Sequence, residues 1–478
     1  MMRHKTRIDP VHLLDKKMNL LHIMHHSYDM AKSRDTMQQI NPSHTMPSHM
    51  PSRVLPGHRA LPYHHTRGLS GLTNLGNTCY MNAAMQALGC TAPLLGYLIS
   101  QQSTVIDDIK KCIIGRMYEQ YMANNDNDDM EIIDSQIEQE TRGKLTYMLR
   151  TVFKHMWAKN CEVRPISFKR GVDAQMNFFN GMQQHDSQEF LTALLDKIHE
   201  ETKSRTRMTL QYSPADQQIA NQIKALDDQI EQARKDKNIE RVRECLGEID
   251  QLHGANPRAY LYIKSVTGLC DILKASQYSI INDMFSGLSL TQITCDVCEK
   301  KTQRFERFDI MTLHLPETID ATRTHYTLDE LFGMYVAEDT MRDKNKYNCG
   351  YCVEKNDAKK KVSFYQLPAV LVVMIKKYQK YENQLIKSNI PIKYNHLLDM
   401  DGYVCPYSNI HGSTRYELYS VIRHNGGYQG GHYYAYCKNP INGMWYLHDD
   451  GDVYEVESHE PLDANGYVLF YRKLVSEQ

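Results

Sequence analysis

Residues 71–82 read G-L-T-N-L-G-N-T-C-Y-M-N. Two glycines and three polar residues suited to capping crowd ahead of one cysteine, and an apolar run with helical spacing follows it: Met81, Met85 and Leu88, then Leu94 and Leu95 beyond a break at Pro93. Asn77 or Thr78 is a good N-cap, which predicts Cys79 in the first turn of a helix. Free N–H groups and the positive end of the helix dipole favour a thiolate there. Asn74, in the loop before it, is placed to point its amide at an oxyanion forming beside that sulfur. Taken alone, the same cysteine reads more readily as a small buried hydrophobe than as a nucleophile.

Working outward, the composition bounds the class. The chain has 478 residues, with 56 Lys+Arg against 57 Asp+Glu for a net charge of −1. That balance argues against general binding to nucleic acid or membrane surfaces. The longest apolar run, 369–375, is too short to span a bilayer, and no signal-peptide pattern opens the chain. Twelve scattered cysteines, two pairs of them spaced Cys-x-x-Cys, do not resemble a secreted disulfide framework. They fit a reducing, intracellular compartment, cytoplasmic or nuclear, with thiols kept for metal and catalysis.

Residues 1–67 hold ten of the 22 histidines and show little periodicity, which predicts a poorly ordered extension or a metal-binding tail. Residues 79–200 read as mainly helical, interrupted by a solvated acidic loop at 124–129. Residues 183–195, Q-Q-H-D-S-Q-E-F-L-T-A-L-L, predict a helix capped by Asp186 or Ser187, with Phe190, Leu191, Leu194 and Leu195 on its apolar face and Asp186 and Glu189 one turn apart at its exposed end. In 203–256 two heptad-like runs, Ile219 to Ala233 and Ile239 to Ile249, flank a polar turn at 235–238. They predict an antiparallel helical hairpin projecting from the core, suited to a partner protein or tolerated as a surface insertion. From about 280 the pattern turns to strands: 305–315, 362–375, 416–421, 433–437, 445–447, 453–456 and 467–471. Helical first and sheet-rich later is an α+β class, with the cysteine helix and the sheet as two walls of a cleft.

Two further constellations carry chemistry. Cys295-x-x-Cys298 and Cys349-x-x-Cys352 offer four thiolates for one structural zinc, from pairs expected at the ends of two long hairpins. Two unrelated pairs of reduced thiols are the bland alternative. Near the C-terminus, Gly430-Gly431-His432 opens one strand and Asp449-Asp450 closes the next. A hairpin brings them together, so that Asp449 orients the His432 ring and His432 takes the proton of Cys79.

Three stretches together resemble the ubiquitin-specific protease family, papain-like cysteine peptidases. They are the cysteine stretch above, Q-H-D-S-Q-E-F-L at 184–191, and Y-E-L-Y-S-V-I-R-H-N-G-G-Y-Q-G-G-H-Y-Y-A-Y with W-Y-L-H-D-D-G-D-V. The likeness covers about 68–473. It implies a catalytic domain at 68–474 with a helical thumb, a β palm and zinc-tipped fingers that grip ubiquitin. It implies a deubiquitinating thiol isopeptidase acting on ubiquitin and ubiquitinated proteins, or in the alternative a catalytically weak ubiquitin-binding module. By position, Cys79 is the nucleophile, His432 the base, Asp449 its orienter and Asn74 part of the oxyanion hole. Gln184, Asp186, Glu189, His424, Gly430, Gly431 and Tyr433 would receive the ubiquitin tail. His185, Ser187 and His448 depart from the family's usual glutamine, alanine and aromatic residue.

Overall fold

The computed structural model describes residues 66–100, 104–124, 134–204, 212–316, 323–381, 384–388, 390–408, 412–427, 430–463 and 465–475. The expectations for 1–65 and for the acidic loop beyond residue 124 lie outside the described residues.

Seven helices come first: α1 Cys79–Gly89, α2 Ala92–Ile99, α3 Thr104–Asn124, α4 Asp134–Gly143, α5 Leu145–Ala158, α6 Ile166–Gln175 and α7 Ser187–Thr202. Helix α1 is buried on every side. Its two amide side chains survive burial because each donates to the loop ahead of the helix. Asn82 Nδ2 reaches the Leu72 carbonyl at 3.1 Å, and Gln86 Nε2 the Ser70 carbonyl at 2.8 Å. The chain leaves α1 at Cys90 and Thr91, before Pro93. The proline then sits in the first turn of α2, where its missing N–H costs nothing. Asp186 caps α7, its carboxylate accepting from the N–H groups of Gln188 and Glu189, and Phe190, Leu191, Leu194 and Leu195 are buried below it.

The strand-rich part forms two sheets. In the palm, strands β3 Ile310–His314, β7 Val370–Lys376, β8 Arg415–Gly427, β9 Gly430–Lys438, β10 Trp445–Asp449, β11 Asp452–Val456 and β12 Val468–Lys473 run in the order β11-β10-β9-β8-β12-β7-β3, and Leu397–Asp399 adds to β8. Only β3 and β7 pair in parallel among these. Residues alternate between faces along a strand. On β7, Val370, Val372 and Met374 face the core shared with α1 and α7, while Leu371, Val373 and Ile375 face a second core that includes helix α12 Leu328–Val336. Both faces are covered, which is why 369–375 reads as one unbroken apolar run.

The fingers are a four-stranded sheet in which β1 Gly287–Cys295 lies between β2 Lys301–Phe308 and β6 Ala358–Gln366, with Asp339–Met341 outside β6. Two segments read as continuous from sequence are divided here. The segment 305–315 is the end of β2 and all of β3, and 362–375 is the end of β6 and all of β7. In each case one strand belongs to the fingers and the next to the palm. β-Propensity is the same on both sides of the junction. The break at 367–369 is made by Pro368, which has no N–H to give a ladder and whose carbonyl accepts the Tyr416 hydroxyl at 2.5 Å.

The segment between thumb and fingers also differs from its expectation. Helices α8 Pro214–Lys235 and α9 Ile239–Ala255 do pair across a turn, with Lys237 at φ 54° and Asn238 capping α9. A third helix, α10 Pro257–Ser276, follows directly and leads into α11 Ile280–Phe285. The unit does not project. Ile223, Leu226 and Ile230 of α8, Val242, Cys245 and Ile249 of α9, and Tyr260, Leu261 and Ile263 of α10 share a core with Leu288, Leu290 and Tyr365 of the finger sheet. Helix α10 packs against both its helical neighbours and β2, so its apolar residues wrap more than one face. Among the described residues, no helix is long and apolar enough to cross a membrane.

Candidate active site

The loop ahead of Cys79 is held by the turn between β10 and β11. Leu72 N–H donates to the Asp450 carbonyl at 2.7 Å, and a Cβ on Gly71 would lie 1.9 Å from the Gly451 carbonyl oxygen, so only glycine fits at position 71. Asn74 then folds the loop onto the helix start, its Oδ1 accepting from the N–H groups of Gly76 at 3.0 Å and Thr78 at 3.1 Å. Gly76 and Asn77 take positive φ, 102° and 55°. Thr78 stands at the N-cap, but its hydroxyl accepts from Leu75 N–H and does not cap α1. The first-turn N–H groups of α1 are thus left without a side-chain cap beside the Cys79 sulfur, which is buried at 3% exposure.

His432 comes to this sulfur from the start of β9. Its Nε2 meets Asp449 Oδ1 at 2.5 Å. The hydrogen bond to Asp449, then that to Cys79, pushes the imidazole up to about 10. That shift favours the protonated ring, held between a carboxylate and a sulfur. The line Cys79–His432–Asp449 joins the end of one loop to two adjacent strands.

Asp450, at φ 50°, keeps a carboxylate oxygen within 4.8 Å of the His432 ring nitrogen and of Asp449, but its hydrogen bonds go to the loop and helix α1: it accepts from Asn74 Nδ2 at 2.9 Å and Asn82 Nδ2 at 2.8 Å. Burial pushes its carboxyl up, and these two amides oppose that shift. Asn74 is exposed and keeps its second amide hydrogen for the cleft. The Asn82 role was not read from sequence. Its one signal is a polar residue one turn into a mostly apolar helix. Tyr467 was missed too: its hydroxyl donates to Asp186 Oδ2 at 2.6 Å.

The channel beside Cys79 gathers most of the remaining candidates. Gln184 Oε1 accepts from Gly431 N–H at 2.9 Å across the cleft. A Cβ on Gly431 would come within 2.2 Å of His424 Nε2, and one on Gly430 within 3.0 Å of Gln184 Oε1. His424 stacks on Tyr433 at 4.4 Å, and the Tyr433 hydroxyl points to Asp186 at 3.5 Å. Glu189 lies at the exposed edge of α7, its carboxyl pushed up by burial and then by Asp186. The departures from the family pattern are accommodated. His185 is ringed by Tyr80, Phe178 and Phe179, Ser187 donates to the Tyr80 carbonyl at 2.8 Å, and His448 is fully buried, its imidazole pushed down to about 4.

A second cluster lies at the fingertips. The sulfurs of Cys295, Cys298, Cys349 and Cys352 all lie within 4.8 Å of one another, with Cys295–Cys352 at 4.0 Å and Cys298–Cys349 at 3.6 Å. A tetrahedral site with Zn–S of ~2.3 Å needs sulfurs about 3.8 Å apart, so the donor set fits one zinc. The two pairs fold alike. Glu299 N–H donates to the Cys295 carbonyl at 2.9 Å and Val353 N–H to the Cys349 carbonyl at 2.8 Å, and Glu299 and Val353 both take positive φ. Only the first pair tips a long hairpin, β1–β2. The second sits on two three-residue strands, β4 Tyr347–Cys349 and β5 Glu354–Asn356. The short arms suffice because the rest of the support comes from outside the hairpin.

Residues 70–471 match the family described as ubiquitin carboxyl-terminal hydrolase. A probable ubiquitin carboxyl-terminal hydrolase of Acanthamoeba polyphaga mimivirus is 28% identical over 440 residues, covering 85% of this chain and 90% of that protein. Ubiquitin carboxyl-terminal hydrolase 44-B of Xenopus laevis is 24% identical over 462 residues, covering 86% of this chain but 58% of its own length. Among solved structures, the SAGA Ubp8/Sgf11/Sus1/Sgf73 DUB module bound to ubiquitin aldehyde contains a chain that superposes with a TM-score of 0.52 at 19% identity, over 86% of this chain and 70% of that one. That likeness is one of fold.

Proposed function

The chain belongs to the ubiquitin carboxyl-terminal hydrolase family, and from that premise we propose that it is an active thiol isopeptidase that cleaves after the C-terminal glycine of ubiquitin. The observation that carries this reading is the Cys79–His432–Asp449 line, edged by the bare backbone of Gly430 and Gly431 across from Gln184. A tail ending in two glycines is what such an edge would receive closely.

In this reading the Cys79 thiolate attacks the terminal glycine carbonyl and forms a C–S bond. The Cys79 N–H and the free hydrogen of the Asn74 amide receive the oxyanion. The imidazolium of His432 gives its proton to the departing lysine amine as the C–N bond breaks. Neutral His432 then takes a proton from water, which attacks the thioester and releases Cys79. Asp449 holds the ring through Nε2 and keeps Nδ1 on the sulfur. Asp450, through Asn74 and Asn82, fixes the loop that carries the oxyanion donors. Gln184, Asp186, Glu189, His424, Gly430 and Tyr433 line the path of the tail, and the Gln184–Gly431 hydrogen bond must open to admit it.

One zinc held by Cys295, Cys298, Cys349 and Cys352 would fix the fingertips and takes no part in the chemistry. All twelve cysteines are free, which supports a reducing, intracellular setting. Ubiquitin carrying a C-terminal electrophile tests the proposal. Covalent labelling at Cys79, lost in Cys79→Ala, is the expected result. Tight binding without labelling would identify a ubiquitin-binding module instead, and neither binding nor labelling would overturn the substrate.

A further inference from the structure

Helix α9 of the insert stands against both cysteine pairs. The Arg243 guanidinium donates through Nε to the Tyr351 carbonyl at 2.8 Å and through Nη2 to the Cys352 carbonyl at 3.5 Å. The Tyr351 hydroxyl returns a hydrogen bond to the Leu246 carbonyl of α9 at 3.0 Å. On the other pair, Lys300 Nζ meets Asp250 Oδ2 at 2.6 Å and lies 6.0 Å over the Tyr351 ring. Both pairs are thus tied to one helix, and through Tyr351 to each other.

Charge points the same way. A divalent ion with four thiolates carries on the order of two excess negative charges. Arg243 brings a cation to that site, and its fork holds the carbonyl of one ligand residue itself. Partners of this kind, beyond the ligands, orient the donors and tune how firmly a metal is held. The apolar residues of α9, Val242, Cys245 and Ile249, are spent on the core with the finger sheet. Arg243 and Gly247 instead line a cleft of about 500 Å³ together with Cys298, Lys300 and Cys352. Those two cysteines are the half-exposed members of the four, while Cys295 and Cys349 are buried. The cleft is the open way to the sulfurs.

We propose that α9 is the outer shell of the four-cysteine site: Arg243 positions the 349–352 pair for metal, and the metal comes and goes through the cleft between α9 and the fingertips. The proposal rests on the reading of the four cysteines as a zinc site. It gives the insert a task inside the molecule, and it accounts for the short arms of β4 and β5, which receive from α9 the support their own ladder lacks.

The test uses the full chain and zinc alone. Metal analysis of the purified protein comes first, and a chain without zinc overturns both the four-cysteine reading and this inference. With zinc present, its release to an excess of a chromophoric chelator is timed, with circular dichroism confirming the fold of each variant. Arg243→Ala is expected to release zinc about tenfold faster, the lower end of the effect of removing an outer-shell partner, and Arg243→Lys to fall between, since it keeps the charge but loses the fork. Gly247 lines the cleft and a Cβ there meets nothing within 4 Å, so Gly247→Phe is placed to obstruct it and is expected to slow release. Wild-type release from Arg243→Ala overturns the positioning role. Wild-type release from Gly247→Phe overturns the route.

Discussion

The cleft and the fingertips each gather cysteine sulfur with oppositely charged partners, and they do it by opposite means. In the cleft one thiol is met by one imidazole, and every part of the arrangement is assembled by packed elements: a buried helix, a capped loop and two paired strands. No ligand is needed to hold it. At the fingertips four thiols crowd together, one pair on a long hairpin and the other on two three-residue strands, in an arrangement that a bound cation would complete. The first is a site made by the fold. The second is a site that helps to make the fold. Losing the reactive group should therefore silence the cleft and leave the structure standing, while losing a ligand should loosen the structure and reach the chemistry only indirectly.

The largest expected effect tests the first half. Cys79→Ala should lower turnover of a fluorogenic ubiquitin conjugate by at least about a thousandfold, with an unchanged melting curve. Residual turnover within tenfold of wild type would remove Cys79 from the role of nucleophile.

Next comes the carboxylate. Asp449→Asn should cost about a hundredfold in kcat, short of the loss of the nucleophile, and more than Asp450→Ala. Its pH profile is the sharper readout. Asp449 is the main cause of the raised His432 value of about 10, and in the proposed reaction the protonated ring is the working form. Removing that carboxylate lets the ring lose its proton at lower pH, so the alkaline limb should move down towards the ordinary histidine value of 6.5. The same sign governs stability. The His432 contribution is full below pH 6.5 and is lost as pH rises through about 10. An unmoved limb, or a greater loss from Asp450→Ala, would exchange the roles of the two aspartates.

The insert gives a smaller effect on activity and a clear one on stability. From sequence, replacing 212–254 by a Gly/Ser linker should leave cleavage nearly unchanged. The packed core with Leu288, Leu290 and Tyr365 changes that expectation. Each such side chain stripped of its cover costs about 1.5–3 kcal/mol, so the melting temperature should fall by several degrees and zinc should be held less firmly. A variant as stable as wild type would return the insert to the status of a free appendage.

The smallest effect lies in the second cysteine pair. Val353 holds φ 62° at half exposure, a costly conformation for a β-branched residue. Val353→Gly should stabilise by about 1 kcal/mol in a denaturant melt, with no change in turnover. Destabilisation would mean that the valine side chain, and not the turn, supports the pair.

How much of this was legible follows from where the information sits. The Cys79 helix, the Asp186 cap and the His432–Asp449 hairpin are local patterns, each readable within about twenty residues. Their meeting was inferable because each lacked a partner. Asn82 and Tyr467 were not legible: their partners, Asp450 and Asp186, lie far away in sequence, and nothing near them distinguishes them from ordinary buried polar residues. Helix α10 was missed because apolar residues on several faces blur the period by which helices are recognised. The strand breaks at 309 and 367–369 were missed because propensity records that a residue suits a sheet, and not which sheet. The four cysteines were read correctly as a cluster, but the length of their arms was not, since the contacts of Arg243, Tyr351 and Lys300 replace length with bracing.

Strand β6 gives the molecule a mechanical property. It starts two residues after β5 at the fingertips and runs nine residues, about 30 Å at the usual rise, before a three-residue joint delivers it to β7 in the palm. That joint is riveted by the Tyr416 hydroxyl on the Pro368 carbonyl, and β7 lies one strand from β8, which carries His424 and ladders to the His432 strand. The finger sheet is thus a cantilever clamped at its root. A beam of that length turns a small rotation at the clamp into a displacement of several ångströms at the tip, and by the same leverage a load at the tip becomes a torque on the sheet that holds the histidine. Fingertip and cleft are joined by a stiff arm, and whatever bends the arm is felt at both ends.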